Sequence, residues 1–366
     1  MQLVEPRNMP PAPLTGSTLR QVFRITISGS RVRMRLSNIF SNGPITVASA
    51  RLARSAGMGV IDPASDRALT FGSDTSVTIA PGAAAVSDPL AFDAPALTRL
   101  TVSLFIPSAP SEVTGHPGAR TTSYLQPGNV VRATAMPDAA RAERWYVIAG
   151  LEVVANDNPR VVIALGNSIT DGRGSGTDRD TRWTDYLANR LAGDPRTRRV
   201  VTLNAGLGGN KVLAGGLGPT ALVRLDRDVL DVPGARWLIV KEGVNDLGEA
   251  RAPGSAAQVA QDLIAAFQQI ITRAHARGLR VYGATILPFE GSQYGNAEQE
   301  AARQAVNAWI RTSGAYDAVI DFDAALRDPG HPSRLLPSAD TGDHLHPNEA
   351  GYRMMAEMID LVLFTR

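Results

Sequence analysis

Residues 161–172 read VVIALGNSITDG, and this stretch decides the fold of the second half of the chain. Val161 to Gly166 form a nearly unbroken apolar run of strand length, the pattern of a parallel strand buried on both faces. The run ends in Gly166-Asn167-Ser168, after which the pattern turns helical, so a serine stands where the chain leaves a sheet. Runs of the same kind recur at VVTLN (200–204), WLIV (237–240), VYGATILP (281–288) and AVIDF (318–322). Helical patterns separate them. In the clearest, 256–277, Val259, Leu263, Phe267 and Ile270 make one stripe, with Ser255 the expected N-cap and Gly278 the expected C′ residue. A last helix is expected from about Pro347 to Phe364, with Met354, Met358 and Val362 on one face, Met355, Ile359 and Leu363 beside them, and the methionines read as core packing. Five strands alternating with helices predict a doubly wound α/β/α sandwich with right-handed crossovers, whose ligands gather at the carboxyl ends of the strands.

Before residue 156 the pattern is different. TLRQVFRITI, RVRMRLSN, PITVASARLA, ALTF, SVTIA, TRLTVSLFIP and RWYVIAGLEVV are short runs punctuated by Gly, Pro, Asp and Ser, with no convincing helix. Leu100, Val102, Leu104 and Ile106 fall on one face at period two, as in a half-buried strand. An all-β sandwich or jelly roll is therefore expected over 1–155 and an α/β unit over 156–366, in keeping with a chain too long for one core.

Composition excludes several classes. The formal charge is only +2 among 37 basic and 35 acidic residues, and no basic run marks a nucleic-acid binder. There is no cysteine, so disulfides, thiolate metal sites and cysteine nucleophiles are ruled out, whichever redox compartment the chain occupies. No stretch reaches the ~20 apolar residues of a membrane helix. The opening MQLVEPRNMPPAPLTG lacks a signal-peptide core, so a soluble protein is expected. Oligomeric state is not legible.

Four motifs follow predicted strand ends. Gly166-Asn167-Ser168 offers a hydroxyl nucleophile beside a helix N-terminus that favours a developing oxyanion, although a serine in such a turn is more often a helix cap. Asn204-Ala205-Gly206-Leu207-Gly208-Gly209-Asn210 lets bare backbone N–H groups approach a ligand. Its spacing fits neither dinucleotide nor P-loop phosphate motifs, and an ordinary tight turn is its plain alternative. Glu242-Gly243-Val244-Asn245-Asp246 brings an amide that donates without titrating, or merely makes a turn. In Asp343-His344-Leu345-His346-Pro347-Asn348 a histidine can accept the serine proton and an aspartate three residues earlier can orient it. His344 competes with His346 for the first role. Two histidines near an aspartate also suggest a metal, but too few further ligands lie nearby and none is expected. His275 and His331 read as structural or solvated, and His116, in TGHPGARTTSY, as a group that could approach the crevice from the β domain.

Together, GNSITDG, NAGLGGN, EGVND and DHLHPN resemble blocks I, II, III and V of the SGNH (GDSL-type) hydrolase family, over roughly residues 160–366. The resemblance implies a three-layer flavodoxin-like fold and hydrolysis of carboxylic esters without a cofactor. By motif it assigns Ser168 as nucleophile, His346 as general base and then acid, and Asp343 as its orienter. It likewise assigns the N–H groups of Ser168 and Gly209 and the Asn245 side chain as oxyanion hole. The β domain is similar to the accessory sandwich of some bacterial members, which implies a lid or substrate-binding wall and favours a secreted or periplasmic setting. One position departs from the family: block I normally reads Gly-Asp-Ser, whereas this chain has Asn167. The triad does not use that carboxylate, so activity is expected to survive. With no long lid-like helix, short acyl groups are favoured, acetyl on carbohydrate among them. An impaired glycan-binding protein is the alternative from another class, and a flavin or nucleotide binder is disfavoured by the missing phosphate loop.

Overall fold

The computed structural model describes residues 1–155 and 158–365. The chain forms two compact units, Met1–Asp157 and Asn158–Arg366. The division expected at 155/156 borders Asn156 and Asp157, which lie outside the described residues.

The first unit is antiparallel β structure. A seven-stranded sheet centres on Ser17–Arg24 and Arg99–Ile106, and a four-stranded sheet centres on Gly29–Ser37. Their inner faces share one core, with Leu19, Phe23, Leu52, Leu100, Val102 and Leu104 from the first sheet meeting Val32, Met34 and Leu36 from the second. This is a β-sandwich. The period-two face of Arg99–Ile106 points inward, but the expected half-burial is corrected, since Thr101 and Ser103 on the opposite face are also buried. The reason lies on the neighbouring strand. Arg20, wholly buried, donates to Ser103 Oγ at 2.8 Å, Gly59 O at 2.8 Å, Ala133 O at 2.6 Å and Thr134 O at 3.3 Å, drawing two loops across the outer face. Burial pulls the Arg20 guanidinium down to about 10, with Asp66 opposing.

The second unit holds five parallel strands, β1 (Arg160–Gly166), β2 (Val200–Gly206), β3 (Ala235–Lys241), β4 (Arg280–Ala284) and β5 (Ala318–Ile320), in the order β2-β1-β3-β4-β5. Val162, Ile163, Ala164 and Leu165 are fully buried, as expected of a strand covered on both faces. Helices Ser255–Ala276 and Ala297–Thr312 pack together, with Phe267 stacked on Trp309. Helix Trp183–Gly193 packs against Glu349–Glu357. This is a three-layer α/β/α unit of flavodoxin-like order, whose crevice opens between β1 and β3 where the strand order reverses. Register makes that crevice level, because Gly166 pairs with Gly206 on one side and Lys241 on the other. Among the described residues no helix is long and apolar enough to cross a membrane.

Several element ends differ from expectation. The strand at 281–288 stops at Ala284, and beyond it Ile286 N is held by Asn307 Oδ1 at 2.7 Å. The strand at 318–322 stops at Ile320 because the Asp321 carboxylate caps a following helix at Ala324 N. Ser255 is not the N-cap but the first helical residue, since Gly254 at φ 75° makes the entry turn. Gly278, at φ 75°, does follow that helix as its C′ residue. The last helix ends at Glu357, and Leu361–Phe364 is a separate 3-10 turn capped by Asp360, which accepts from Val362 N at 2.9 Å. A side chain that bonds its own backbone competes with the helix in this way. The break turns Met358 and Val362 outward, each 37% exposed, while Met355 and Ile359 stay in the core.

Candidate active site

At the end of β1 the helix Ser168–Asp171 starts at once, and its N-cap is Asn167, not Ser168. Asn167 Oδ1 accepts from Ile169 N at 3.1 Å, which satisfies an N-terminal donor and leaves the serine hydroxyl available. Ser168 Oγ lies 2.8 Å from His346 Nε2, and His346 Nδ1 lies 2.7 Å from Asp343 Oδ2. The Asp343 carboxylate also accepts from Leu345 N at 3.0 Å and His346 N at 2.8 Å. Partial burial acts to raise its pKa, but the bonds from the His346 ring and backbone outweigh it and hold the carboxyl well below the usual range. The aspartate is thus ionised, and the Nδ1–H tautomer that it selects turns a lone pair on Nε2 toward the serine.

Two further loops leave the ends of β2 and β3, the strands that flank β1. Gly209 has φ 69°, a left-handed backbone suited to glycine. Among the described residues the N–H groups of Ser168 and Gly209 have no protein acceptor. Asn245, in the short helix Val244–Gly248 after β3, donates from Nδ2 to Asn210 O at 2.7 Å, which leaves its second amide hydrogen for another acceptor. The loop between them is gripped from two sides. Asp171 Oδ2 accepts from Gly208 N at 2.9 Å, and the Asp246 carboxylate accepts from Val212 N and Leu213 N at 3.1 and 3.0 Å.

A buried charge cluster underlies the site. Arg224 donates to Gly166 O at 3.0 Å, Ala205 O at 2.6 Å and Asn210 Oδ1 at 2.9 Å, and lies 3.4 Å from Glu242 Oε1. It therefore ties the carboxyl ends of β1 and β2 to the start of the loop after β3. Asn167 Nδ2 meets Glu242 Oε2 from above at 3.2 Å. Burial pushes the Glu242 carboxyl up to about 8, against the pull of Arg224. The Asn167 amide thus supplies a donor where an aspartate would set two carboxylates face to face.

The two histidines have different partners, His346 facing Ser168 and Asp343 and His344 facing Asp340. His344 turns away, at φ 58°, and its Nδ1 lies 2.7 Å from Asp340 Oδ2 in a second, half-exposed pair. His116 ends the strand Thr114–His116 in the first unit, its ring 6.2 Å from that of Trp145. His275 pairs with Asp317, and His331 lies in the turn at Asp328. Among the described residues no three His, Asp or Glu side chains are grouped to hold a metal ion. Asp171, Arg224, Glu242, Asp246 and Tyr294, which bonds Asn245, escaped the sequence reading. Asp171, Glu242 and Asp246 stood inside the quoted motifs without a role of their own, while Arg224 left only a lone charge within the apolar run ALVRL.

Residues 164–354 match the model of the GDSL-like lipase/acylhydrolase family. The chain belongs to that family. It is a carboxylic ester hydrolase, as the four motifs led us to expect. A search of curated proteins finds no match. Solved structures similar to this acylhydrolase include the acetyl xylan esterase AlAXEase, at 20% identity and TM-score 0.42, over 54% of this chain and 96% of that one. The acetylxylan esterase Axe2 of Geobacillus stearothermophilus aligns at 18% and 0.41, over 54% and 91% of the two chains. A GDSL-like lipase from Bacteroides thetaiotaomicron aligns at 19% and 0.40, over 57% and 89%.

Proposed function

We propose that this esterase works through an acyl-enzyme on Ser168, with His346 as general base and then acid and Asp343 as its orienter. The observation that carries the reading is the continuous chain from Ser168 Oγ through both nitrogens of His346 to Asp343, at 2.8 and 2.7 Å. Ser168 Oγ attacks the ester carbonyl as its proton passes to His346 Nε2. The carbonyl oxygen becomes an oxyanion that accepts from the N–H groups of Ser168 and Gly209 and from Asn245 Nδ2. Collapse expels the alkoxide, which takes the proton from His346 and leaves as the alcohol. Water then attacks the acyl-enzyme by the same route, giving the acid and restoring the serine. Asp343 keeps the imidazolium in place throughout and does not itself take up the proton.

The substrates we favour carry a short acyl group on a hydroxyl-rich alcohol, acetylated carbohydrate among them. The segments leading from the strand ends support this, since GRGSGTDRDTR (172–182), EGSQYGN (290–296) and DTGDH (340–344) offer hydroxyl, amide and charged groups and little apolar surface. The test is hydrolysis of p-nitrophenyl acetate, butyrate and octanoate by wild type and Ser168→Ala, with and without a chelator. Turnover that falls with acyl length, survives chelation and vanishes in Ser168→Ala is expected. Turnover that persists in Ser168→Ala would refute the nucleophile.

A further inference from the structure

We propose that Tyr294 is a positioning residue for the reaction, setting the plane of the Asn245 carboxamide so that its spare N–H faces the oxyanion. The inference rests on Asn245 being an oxyanion donor. That carboxamide has two fixed bonds, since Nδ2 donates to Asn210 O at 2.7 Å and Oδ1 accepts from Tyr294 Oη at 3.2 Å. The Asn210 carbonyl decides which end of the amide is nitrogen, because an oxygen turned toward it would be repelled. Tyr294 then holds the opposite end, so the amide cannot rock about its last torsion. One hydrogen on Nδ2 is left over, and its direction is set.

The surroundings are built to hold this tyrosine. A Cβ at Gly248 would lie 2.2 Å from the ring, at its Cγ, so a residue without a side chain is what admits the aromatic there. The Arg251 guanidinium lies over the ring at 5.9 Å and also donates to Gln293 O. Ser292 fixes the turn, its Oγ accepting from Tyr294 N at 3.1 Å and its carbonyl from Gly295 N at 3.0 Å. Burial and then the nearby Glu249 raise the phenol above its ordinary value, so the hydroxyl stays a donor at neutral and mildly alkaline pH.

A hydroxyl that donates to an amide oxygen draws electron density from its nitrogen and strengthens the N–H as a donor. Such chains polarise cooperatively, and the gain is largest when the final acceptor carries charge. Tyr294 therefore acts on the transition state more than on the bound ester, and its loss should appear in kcat and not in KM.

The test is a cycle of four enzymes, wild type, Tyr294→Phe, Asn245→Ala and the double variant, assayed on p-nitrophenyl acetate. Phenylalanine keeps the ring against Gly248 and Arg251 and removes only the hydroxyl. Tyr294→Phe should lower kcat by about tenfold with KM within about twofold, and in the Asn245→Ala background the same change should alter kcat by less than about twofold. A silent Tyr294→Phe beside an impaired Asn245→Ala would overturn the role of Tyr294 and leave the oxyanion assignment standing. Equal losses in both backgrounds would show that Tyr294 acts by some route other than Asn245. A silent Asn245→Ala would overturn both the assignment and this inference.

Discussion

Replacing Asn167 by aspartate restores the family's usual block I and sets a carboxylate where the amide now lies 3.2 Å from Glu242 Oε2, with both side chains buried. Two unit charges at that separation repel by about 5 kcal/mol at an effective dielectric of ~20, so the pair will keep one proton between them. Glu242 already favours its proton, because burial pushes it up to about 8; Asp246 adds to the rise, while Arg224, Asn167 and Lys241 oppose it. At pH 6 the variant should therefore form a carboxyl–carboxylate hydrogen bond, keep the loop, and hold kcat/KM within about tenfold of wild type. The cost comes at higher pH. A carboxyl whose folded pKa lies above its unfolded value gives stability that is complete below the unfolded pKa and lost as pH rises through the folded one, by about 1.4 kcal/mol per pH unit. In wild type that decline runs from the ordinary carboxylate range to about 8 and then levels off. In Asn167→Asp the shared proton is held more tightly, so the decline continues, and the two proteins should separate by roughly 3 kcal/mol between pH 8 and 10. Denaturant unfolding of both from pH 5 to 10 reads this directly. A difference that stays flat across the range, or a loss of kcat/KM beyond about tenfold at pH 6, would refute the reasoning.

Two further substitutions probe other parts of the account. His344→Asn keeps a residue type tolerant of positive φ and should leave kcat/KM within about threefold, whereas His346→Asn should cost about a thousandfold or more; steady-state kinetics on p-nitrophenyl acetate would show if the roles are reversed. Arg20→Leu would leave the carbonyls of Gly59, Ala133 and Thr134 without their buried donor and should destabilise the first unit by about 3 kcal/mol, visible as a lower urea midpoint. An unchanged midpoint would mean that those carbonyls find other partners at no cost.

Much of the fold was legible because the physics is local. A run such as VVIALG is buried on both faces wherever it sits, and a strand followed by Gly-Asn-Ser marks a sheet edge. Ser168, Asp343 and His346 were legible because each follows a strand end or leads into the last helix, and a doubly wound sheet brings those points together. What stayed hidden depends on partners far away in sequence. Thr101 and Ser103 look like a solvent face until Arg20 brings loops across them. The last helix reads as continuous until Asp360 caps a new turn. Glu242 and Arg224 meet across 18 residues, and Tyr294 meets Asn245 across 49. Spacing alone does not disclose such pairs.

The most direct test of the central claim is to mix the enzyme with p-nitrophenyl acetate, quench it with acid during the burst, and map the acetylated peptide by mass spectrometry. The account predicts one acetyl group, on Ser168, formed in step with the p-nitrophenol burst and absent from Ser168→Ala. Acetyl on another residue at the same rate, or steady turnover with no burst adduct even when deacylation is slowed, would contradict it.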